Sequence, residues 1–508
     1  MKRHSAVAAG HPLTAETAAE VLRSGGNAVD AAVAGALMAC VVEPVLASLL
    51  GGGFLMVREA SGKTGILDFF VQTPRQKRRE SEIDLREIEA DFGEVTQRFH
   101  IGAATIAVPG VARGLFAAHA RQGRMPFAEL TAPAVQAARN GVAISTLQAM
   151  VLDVVTPIFT SSPGALRIFG DGERLLKAGE TYRNPALADV IDTFAREGDR
   201  FIHEGEVAQA LLSLDGGHLS ALDLKRYTPI DRRPLVERRG QARLYLNPPP
   251  SLGGALIAFA LRLMERGASQ TDIAHAFHAT TRARIEAGLN DDSFLGTGRL
   301  LSGDLIARYR RQVAGRAAAT RGTTHISVVD HTGMGAALTL SNGEGCGLIA
   351  LGTGLMPNNM LGEEDLVGEA ITEWTPDTRL SSMMAPMTID WPDGRVVMLG
   401  SGGSNRIRTA LALVSAYLID RDMRLEDAIA APRVHVEAPV RKGEQPKVDF
   451  EDRLREDHRA DLLCAFPEAQ AWPGDSFFFG GVHAVARAAR GGVEAAGDHR
   501  RDAAAVVI

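Results

Sequence analysis

The chain has 508 residues, of which 45% are hydrophobic, 23% charged and 5% aromatic, and its formal net charge is −6. This is ordinary globular composition with ample material for a large core, and the mild acidity and lack of a long Lys/Arg run set nucleic-acid binding aside. The three cysteines, Cys40, Cys346 and Cys464, are odd in number and widely spaced, which argues against a disulfide framework or a zinc knuckle.

The basic start is not followed by the apolar stretch of a secretory signal. Thr14–Ser24 reads as an amphipathic helix stopped by Gly25-Gly26. Asn27 can cap a second helix, Ala28–Val42, which is apolar nearly all round and therefore expected to be buried. Its apolar run, Ala31–Val42, spans twelve residues, against the ~20 of a membrane-crossing helix. A soluble cytoplasmic protein is the expectation. Pro44 ends the helix, Gly51-Gly52-Gly53 leads into a strand at Phe54–Arg58, and Thr64–Phe70 is its expected partner.

The middle third, roughly 110–300, is expected to be mostly helical, with leucine and alanine at helical spacing. Asn247-Pro248-Pro249-Pro250-Ser251-Leu252-Gly253-Gly254 interrupts it as a rigid turn, since three prolines continue neither a helix nor a central strand. Residues 303–322 are basic and alanine-rich, with Arg308, Arg310, Arg311, Arg316 and Arg321, and read as a solvated linker. The pattern then changes. Residues 323–330 are β-branched and alternating, His331-Thr332-Gly333 makes a turn, and 335–341 return as the partner strand. A strand at Val396–Leu399, a glycine turn at Gly400–Ser404 and a helix from Arg406 to Ile419 follow.

Four C-terminal segments carry groups that could share one site: Thr323 at a strand head, Ser341–Gly345, Arg379–Met383 and Gly400–Arg406. Each also has a plain reading. A Thr-Thr-His strand start is usually only that, and Ser381-Ser382 is equally a turn or a cap. The glycine-rich segment either cradles an anion or merely allows a tight strand-to-helix turn; it lacks the lysine and spacing of nucleotide loops. HExxH, CxxC and GxSxG are absent. His11, His325, His331 and His435 are isolated, and nothing near Cys346 marks a base for it.

The ordered set of Gly25-Gly26-Asn27-Ala28-Val29-Asp30-Ala31-Ala32, Glu43-Pro44, Gly51-Gly52-Gly53-Phe54, Val108-Pro109-Gly110 and the triple-proline turn continues with 323–330, Asn358-Asn359, Ser381-Ser382, Gly402-Gly403-Ser404 and Ala431-Pro432-Arg433. Together these resemble the γ-glutamyltransferase (glutathione hydrolase proenzyme) family nearly end to end. The resemblance implies an α+β, four-layer αββα sandwich of the N-terminal-nucleophile hydrolase type. It implies self-cleavage at Gly322–Thr323 into a large subunit, 1–322, and a small subunit, 323–508, with the basic linker presented for the cut. Carried over by position, Thr323 is the nucleophile and, through its freed amine, the base. Ser341 assists it, and the backbone N–H groups of Gly402 and Gly403 form the oxyanion hole. Asn342, one residue out of register, Ser381 and Ser382 bind the glutamyl group. No cofactor or metal is implied. The expected partners are a γ-glutamyl or related acyl amide, water or an amino-acid or peptide acceptor, and the two subunits themselves.

Two departures bear on the substrate. Where the family has an arginine that clamps the substrate α-carboxylate, this chain has Phe70, which cannot make a bidentate charged contact. After Asn358-Asn359, Met360 stands at a family glutamine, and Glu363 is the candidate replacement for a family aspartate. The stretch up to Ser381 is short, so a reduced lid is expected. Arg75, Lys77, Arg78 and Arg79 could restore positive charge, but read better as solvated surface. Retained chemistry with altered recognition is the expectation. The activity expected from the resemblance is γ-glutamyl amide cleavage, as of glutathione, or hydrolysis of a glutaryl- or oxamate-type amide. An unprocessed binding protein and a nucleotide binder using Gly400–Ser404 are the competing readings.

Overall fold

The structure is a computed structural model that describes residues 4–91, 96–289, 293–309, 322–367, 372–437 and 446–508. Two antiparallel sheets lie face to face with helices on both outer sides, the four-layer αββα arrangement. One sheet has seven strands, in the order Ala504–Val507, Ala6–Ala9, Thr324–Val329, Gly335–Ser341, Gly52–Arg58, Thr64–Phe69 and Ile230–Arg232. The other has six: Val493–Ala496, Gly481–Arg487, Val396–Gly402, Met387–Asp390, Ala242–Leu246 and Leu235–Arg239.

Period-two alternation decides which core each residue joins. Ala6, Ala8, Phe54 and Met56 point into the core between the sheets. Val7, Ala9, Leu55 and Val57 point the other way, onto the helix Ala28–Val42. That helix is buried along its whole length, as its all-round apolarity requires. Asn27 and Asp30 close a capping box at its start, and the Asp330 carboxylate accepts from Ala28 N at 3.1 Å. Gly253–Leu263 and Arg406–Asp420 cover the six-stranded sheet, and Gln270–Glu286 packs on Gly253–Leu263 and on the strand Val434–Glu437. Among the described residues no helix is long and apolar enough to cross a membrane.

The middle third is mostly helical, as expected, but it also holds a β-hairpin, Leu235–Arg239 and Ala242–Leu246, that pairs into the six-stranded sheet. Its inward positions include Glu237 and Arg239, buried as ion pairs with Arg262 and Asp420, so the apolar alternation that marks a strand is broken by paired charges. The expected linker begins with a helix, Gly303–Tyr309, in which Tyr309 is buried and Arg308 pairs with Glu286. Arg310, Arg311, Arg316 and Arg321 lie outside the described residues. Finally, Gly400 to Gly402 are not a turn but the end of a strand paired with Gly481–Arg487. A Cβ on Gly400 would stand 2.2 Å from the His325 ring, so the glycine permits close approach of the two sheets. The turn starts at Gly403 (φ 113°) and Ser404 (φ 53°).

Candidate active site

Thr323 immediately precedes the central strand Thr324–Val329 and is 4% exposed. The register of that strand with Gly335–Ser341, Thr324 opposite Leu340, brings Ser341 beside the Gly322–Thr323 peptide. Two hydroxyls donate to the Gly322 carbonyl oxygen: Thr323 Oγ1 at 2.7 Å and Ser341 Oγ at 2.9 Å. Gly343 N donates to Ser341 Oγ at 3.1 Å, which fixes that hydroxyl as a donor toward Gly322. From the other sheet, Gly402 packs against Thr323 so closely that a Cβ would stand 2.1 Å from the Thr323 carbonyl oxygen. Any side chain at 402 would push the strands apart.

A small cleft opens in front of this peptide. Its walls include Thr323, Ser341, Phe70, Met360, Glu363 and Ser382, with Met383, Met384, Leu366 and Ile407 adding apolar surface. Six of the residues singled out in the sequence therefore meet in one place. Asn342, Ser381, Gly402 and Gly403 do not line it. Successive side chains of an extended segment face opposite ways; Ser341 faces Thr323, so Asn342 faces inward, where its amide donates to Met356 O at 3.3 Å. Ser381 is half-buried to one side, while Ser382 holds the wall.

Each wall has identifiable support. The triple-proline turn braces the serine segment from behind: Ser251 Oγ donates to Ser382 O (3.0 Å) and Met384 O (2.8 Å), and Asn247 donates to Met384 O (2.9 Å). Phe70 stacks on Phe54 with ring centroids 5.4 Å apart. Its carbonyl accepts from Tyr227 and Arg379, both at 2.7 Å. Arg379 also bonds Asp68 and Thr228 O, so this nearby arginine is committed to the framework rather than replacing the one lost at position 70. Asn359 Oδ1 accepts from Glu344 N and Gly345 N and so shapes the loop after Ser341. Sequence reasoning assigned no role to Ser251, Asn247 or Arg379; the triple-proline turn pointed to the first two, and the Arg379–Met383 segment contained the third.

The remaining candidates fall outside the site. Arg75 pairs with Asp377 and Lys77 donates to Thr372 O, while Arg78 and Arg79 are exposed. The expected reduced lid falls on 360–381, of which 368–371 lie outside the described residues; Thr375 and Thr378 beyond them hydrogen-bond Thr73. His325 is fully buried between Thr339 and Ser327, and burial holds its pKa well below the usual range. His11 caps a helix and His435 pairs with Glu437. Burial pushes the Cys346 thiol up to about 12, which leaves it un-ionised. Directly behind the strand head, Glu43 accepts from Thr324 Oγ1 at 2.9 Å, and burial pushes its carboxyl up to about 7.

Known proteins share this arrangement of chain. The family model described as Gamma-glutamyltranspeptidase matches residues 14–508. A glutathione hydrolase proenzyme of Pseudomonas aeruginosa is 30% identical over 471 residues, covering 85% of this chain and 82% of the relative. The acylase ACY 1 proenzyme of Pseudomonas sp. (strain V22) is 28% identical over 467 residues, covering 85% and 83%. Among solved structures, cephalosporin acylase from Bacillus halodurans superposes with a TM-score of 0.84 at 21% identity, over 99% of this chain and 96% of that one. That likeness shows a shared fold. With a family model spanning nearly the whole chain and a 30%-identical relative beside it, the protein belongs to the γ-glutamyltranspeptidase family of enzymes.

Proposed function

We propose that the chain cuts itself before Thr323 and then uses that residue to hydrolyse or transfer the acyl group of a small amide. The observation that carries this reading is the Gly322 carbonyl held by the hydroxyls of Thr323 and Ser341. Rotation about χ1 turns the Thr323 oxygen from the carbonyl oxygen to the carbonyl carbon. Attack forms a C–O bond, and collapse breaks the Gly322–Thr323 C–N bond as the nitrogen takes a proton. Water then hydrolyses the ester, leaving a Gly322 carboxylate and a Thr323 α-amine.

That amine is what processing creates. An amide nitrogen cannot act as a base, whereas an α-amine has a pKa of ~7.7–8.0. It takes the hydroxyl proton directly or through one water as Thr323 Oγ attacks the substrate carbonyl. The N–H groups of Gly402 and Gly403 take the oxyanion, the proton passes to the leaving amine, and water or an acceptor amine releases the acyl group. Backbone donors suit this role because they are fixed before the charge develops.

The acyl group we assign is γ-glutamyl, on the strength of Glu363. Its carboxylate on the cavity wall is a partner for the substrate α-ammonium. Phe70 favours a second reading, a glutaryl- or oxamate-type acyl group, because it removes the charged clamp that a zwitterionic glutamyl group would use. Steady-state hydrolysis of γ-glutamyl-p-nitroanilide against glutaryl-p-nitroanilide separates them. A large preference for the glutaryl compound would overturn the γ-glutamyl assignment and leave the threonine chemistry standing.

A further inference from the structure

The loop after the strand Gly335–Ser341 grips Gly322 by both of its polar backbone groups. Ser341 Oγ donates to the Gly322 carbonyl oxygen at 2.9 Å, and Glu344 Oε1 accepts from the Gly322 N–H at 3.4 Å. The loop reaches both because it doubles back. Gly343 is left-handed (φ 64°), Asn342 and Glu344 form an isolated bridge, and Asn359 Oδ1 accepts from Glu344 N at 2.9 Å. A Cβ on Gly343 would stand 2.2 Å from Asn359 Oδ1, so the turn needs glycine there. Glu344 is 3% exposed, and the self-cleavage and acyl-transfer steps make no use of its carboxylate.

We propose that, once the chain is cut, the Glu344 carboxylate becomes the ion-pair partner of the Thr323 α-ammonium and so raises the pH above which that amine serves as the base. The inference rests on Thr323 being the nucleophile, and it names the residue that governs the base of that same site.

Before the cut, Glu344 meets a neutral amide N–H. Scission charges both new ends beside it. The Gly322 end becomes a carboxylate, which a neighbouring carboxylate repels, and the Thr323 end becomes an ammonium, which it attracts. Backbone nitrogens of successive residues lie roughly 3 Å apart. The ammonium therefore starts no more than about 7 Å from Glu344 Oε1, and departure of the Gly322 end lets the two close. At ~4–6 Å an opposite charge already favours the ionised form.

Other charged groups face the same place. Arg406, at the head of the helix Arg406–Asp420, and Arg501 line the same narrow cleft as Glu344 and Gly322. Arg406 is anchored by Phe478 O at 2.9 Å and by Glu437 at 3.5 Å. Glu363 lies across Gly343, where a Cβ would stand 2.6 Å from its Oε1. The two cations disfavour the ammonium and Glu363 favours it. All three remain when Glu344 is replaced, so one substitution isolates the Glu344 charge. Glu43 lies behind the strand head and bonds Thr324 rather than Gly322.

Glu344→Gln keeps an amide oxygen to accept from Gly322 N, so the grip on the precursor survives and maturation should proceed; only the charge is lost. The readout is the acid limb of kcat/KM against pH, which reports the base of the free enzyme, measured with the better of the γ-glutamyl and glutaryl p-nitroanilides. All the proteins compared carry Glu43→Gln, because Glu43 also titrates at about 7. In Glu344→Gln the limb is expected to fall by about one pH unit or more, and Glu344→Asp should keep most of the original position. A limb that does not move in Glu344→Gln, or that moves as far in Glu344→Asp, overturns the proposal. Should Glu344→Gln fail to mature, the limb of the protein with Glu344 intact decides: a position above the ~7.7–8.0 of an ordinary α-amine supports the ion pair, and one within or below that range overturns it. N-terminal sequencing of the same samples separates this from failure of the underlying reading. Active protein without a Thr323 terminus sinks the nucleophile, whereas a Thr323 terminus with an unmoved limb sinks only the role of Glu344.

Discussion

Ser341→Ala removes one of the two hydroxyl donors on the Gly322 carbonyl, and the geometry sets how much that costs. At 2.9 Å the serine already bonds the neutral carbonyl oxygen. When Thr323 attacks, that same oxygen becomes the oxyanion, with the donor in place and no reorganisation required. Loss of one preorganised oxyanion donor costs about 2.7–4 kcal/mol, or roughly 10²- to 10³-fold in rate. Because part of the bond exists before attack, part of its energy is spent equally on ground and transition states. The lower end applies, a slowing of about 100-fold. The cavity change is small, since alanine keeps the strand and loses only an oxygen. The assay follows conversion of purified 508-residue precursor into two bands on denaturing gels. Ser341→Thr should mature much faster than Ser341→Ala. Maturation of Ser341→Ala at the unmodified rate would refute the role of this hydroxyl on the scissile carbonyl.

Further outcomes follow from the same geometry. Gly402→Ala places a methyl 2.1 Å from the Thr323 carbonyl oxygen, which is backbone and cannot swing aside; amide hydrolysis should fall about 100-fold or more, and near-normal activity would show that this strand end does not abut Thr323. Glu43, raised to about 7 by burial, keeps its proton in the folded chain where the unfolded chain has lost it. Stability from this group is complete below its ordinary value of 4.5 and is lost as pH rises through about 7. Glu43→Gln should therefore gain up to about 3 kcal/mol on the unmodified protein between acid and mildly basic pH; denaturation midpoints of the two that run parallel with pH would contradict this. Phe70→Arg returns a cation to the acyl cavity and should raise kcat/KM for a γ-glutamyl anilide over an uncharged butyryl anilide by about tenfold, with an unchanged ratio counting against the placement of the carboxylate.

Much of the fold was readable because its elements obey simple periods. Ala28–Val42 is apolar on every side, and the structure buries every side of it. The strand pair following Gly322 alternates cleanly, and it pairs in the register its turn implies. Legibility failed where tertiary partners replaced local pattern. Glu237 and Arg239 face inward because Arg262 and Asp420 neutralise them, and those partners are distant in sequence. At the site, Thr323, Ser341 and Ser382 were reachable from motifs. The inward turn of Asn342 is set by its place after Ser341 and by Met356 O, which no motif records. Arg501 reads in sequence as one of several C-terminal arginines. Only the packing reveals that Arg433 and Arg500 hold carboxylates while the Arg501 Nε is buried without a hydrogen-bond partner.

The central claim is that backbone scission gives one residue both the hydroxyl and the amine it needs. Intact-mass analysis and N-terminal sequencing of catalytically active protein test this most directly. The account predicts a 186-residue fragment whose first residue is Thr323, matched by a fragment ending at Gly322. Active material that is a single uncut chain, or whose new terminus lies at another residue, contradicts it.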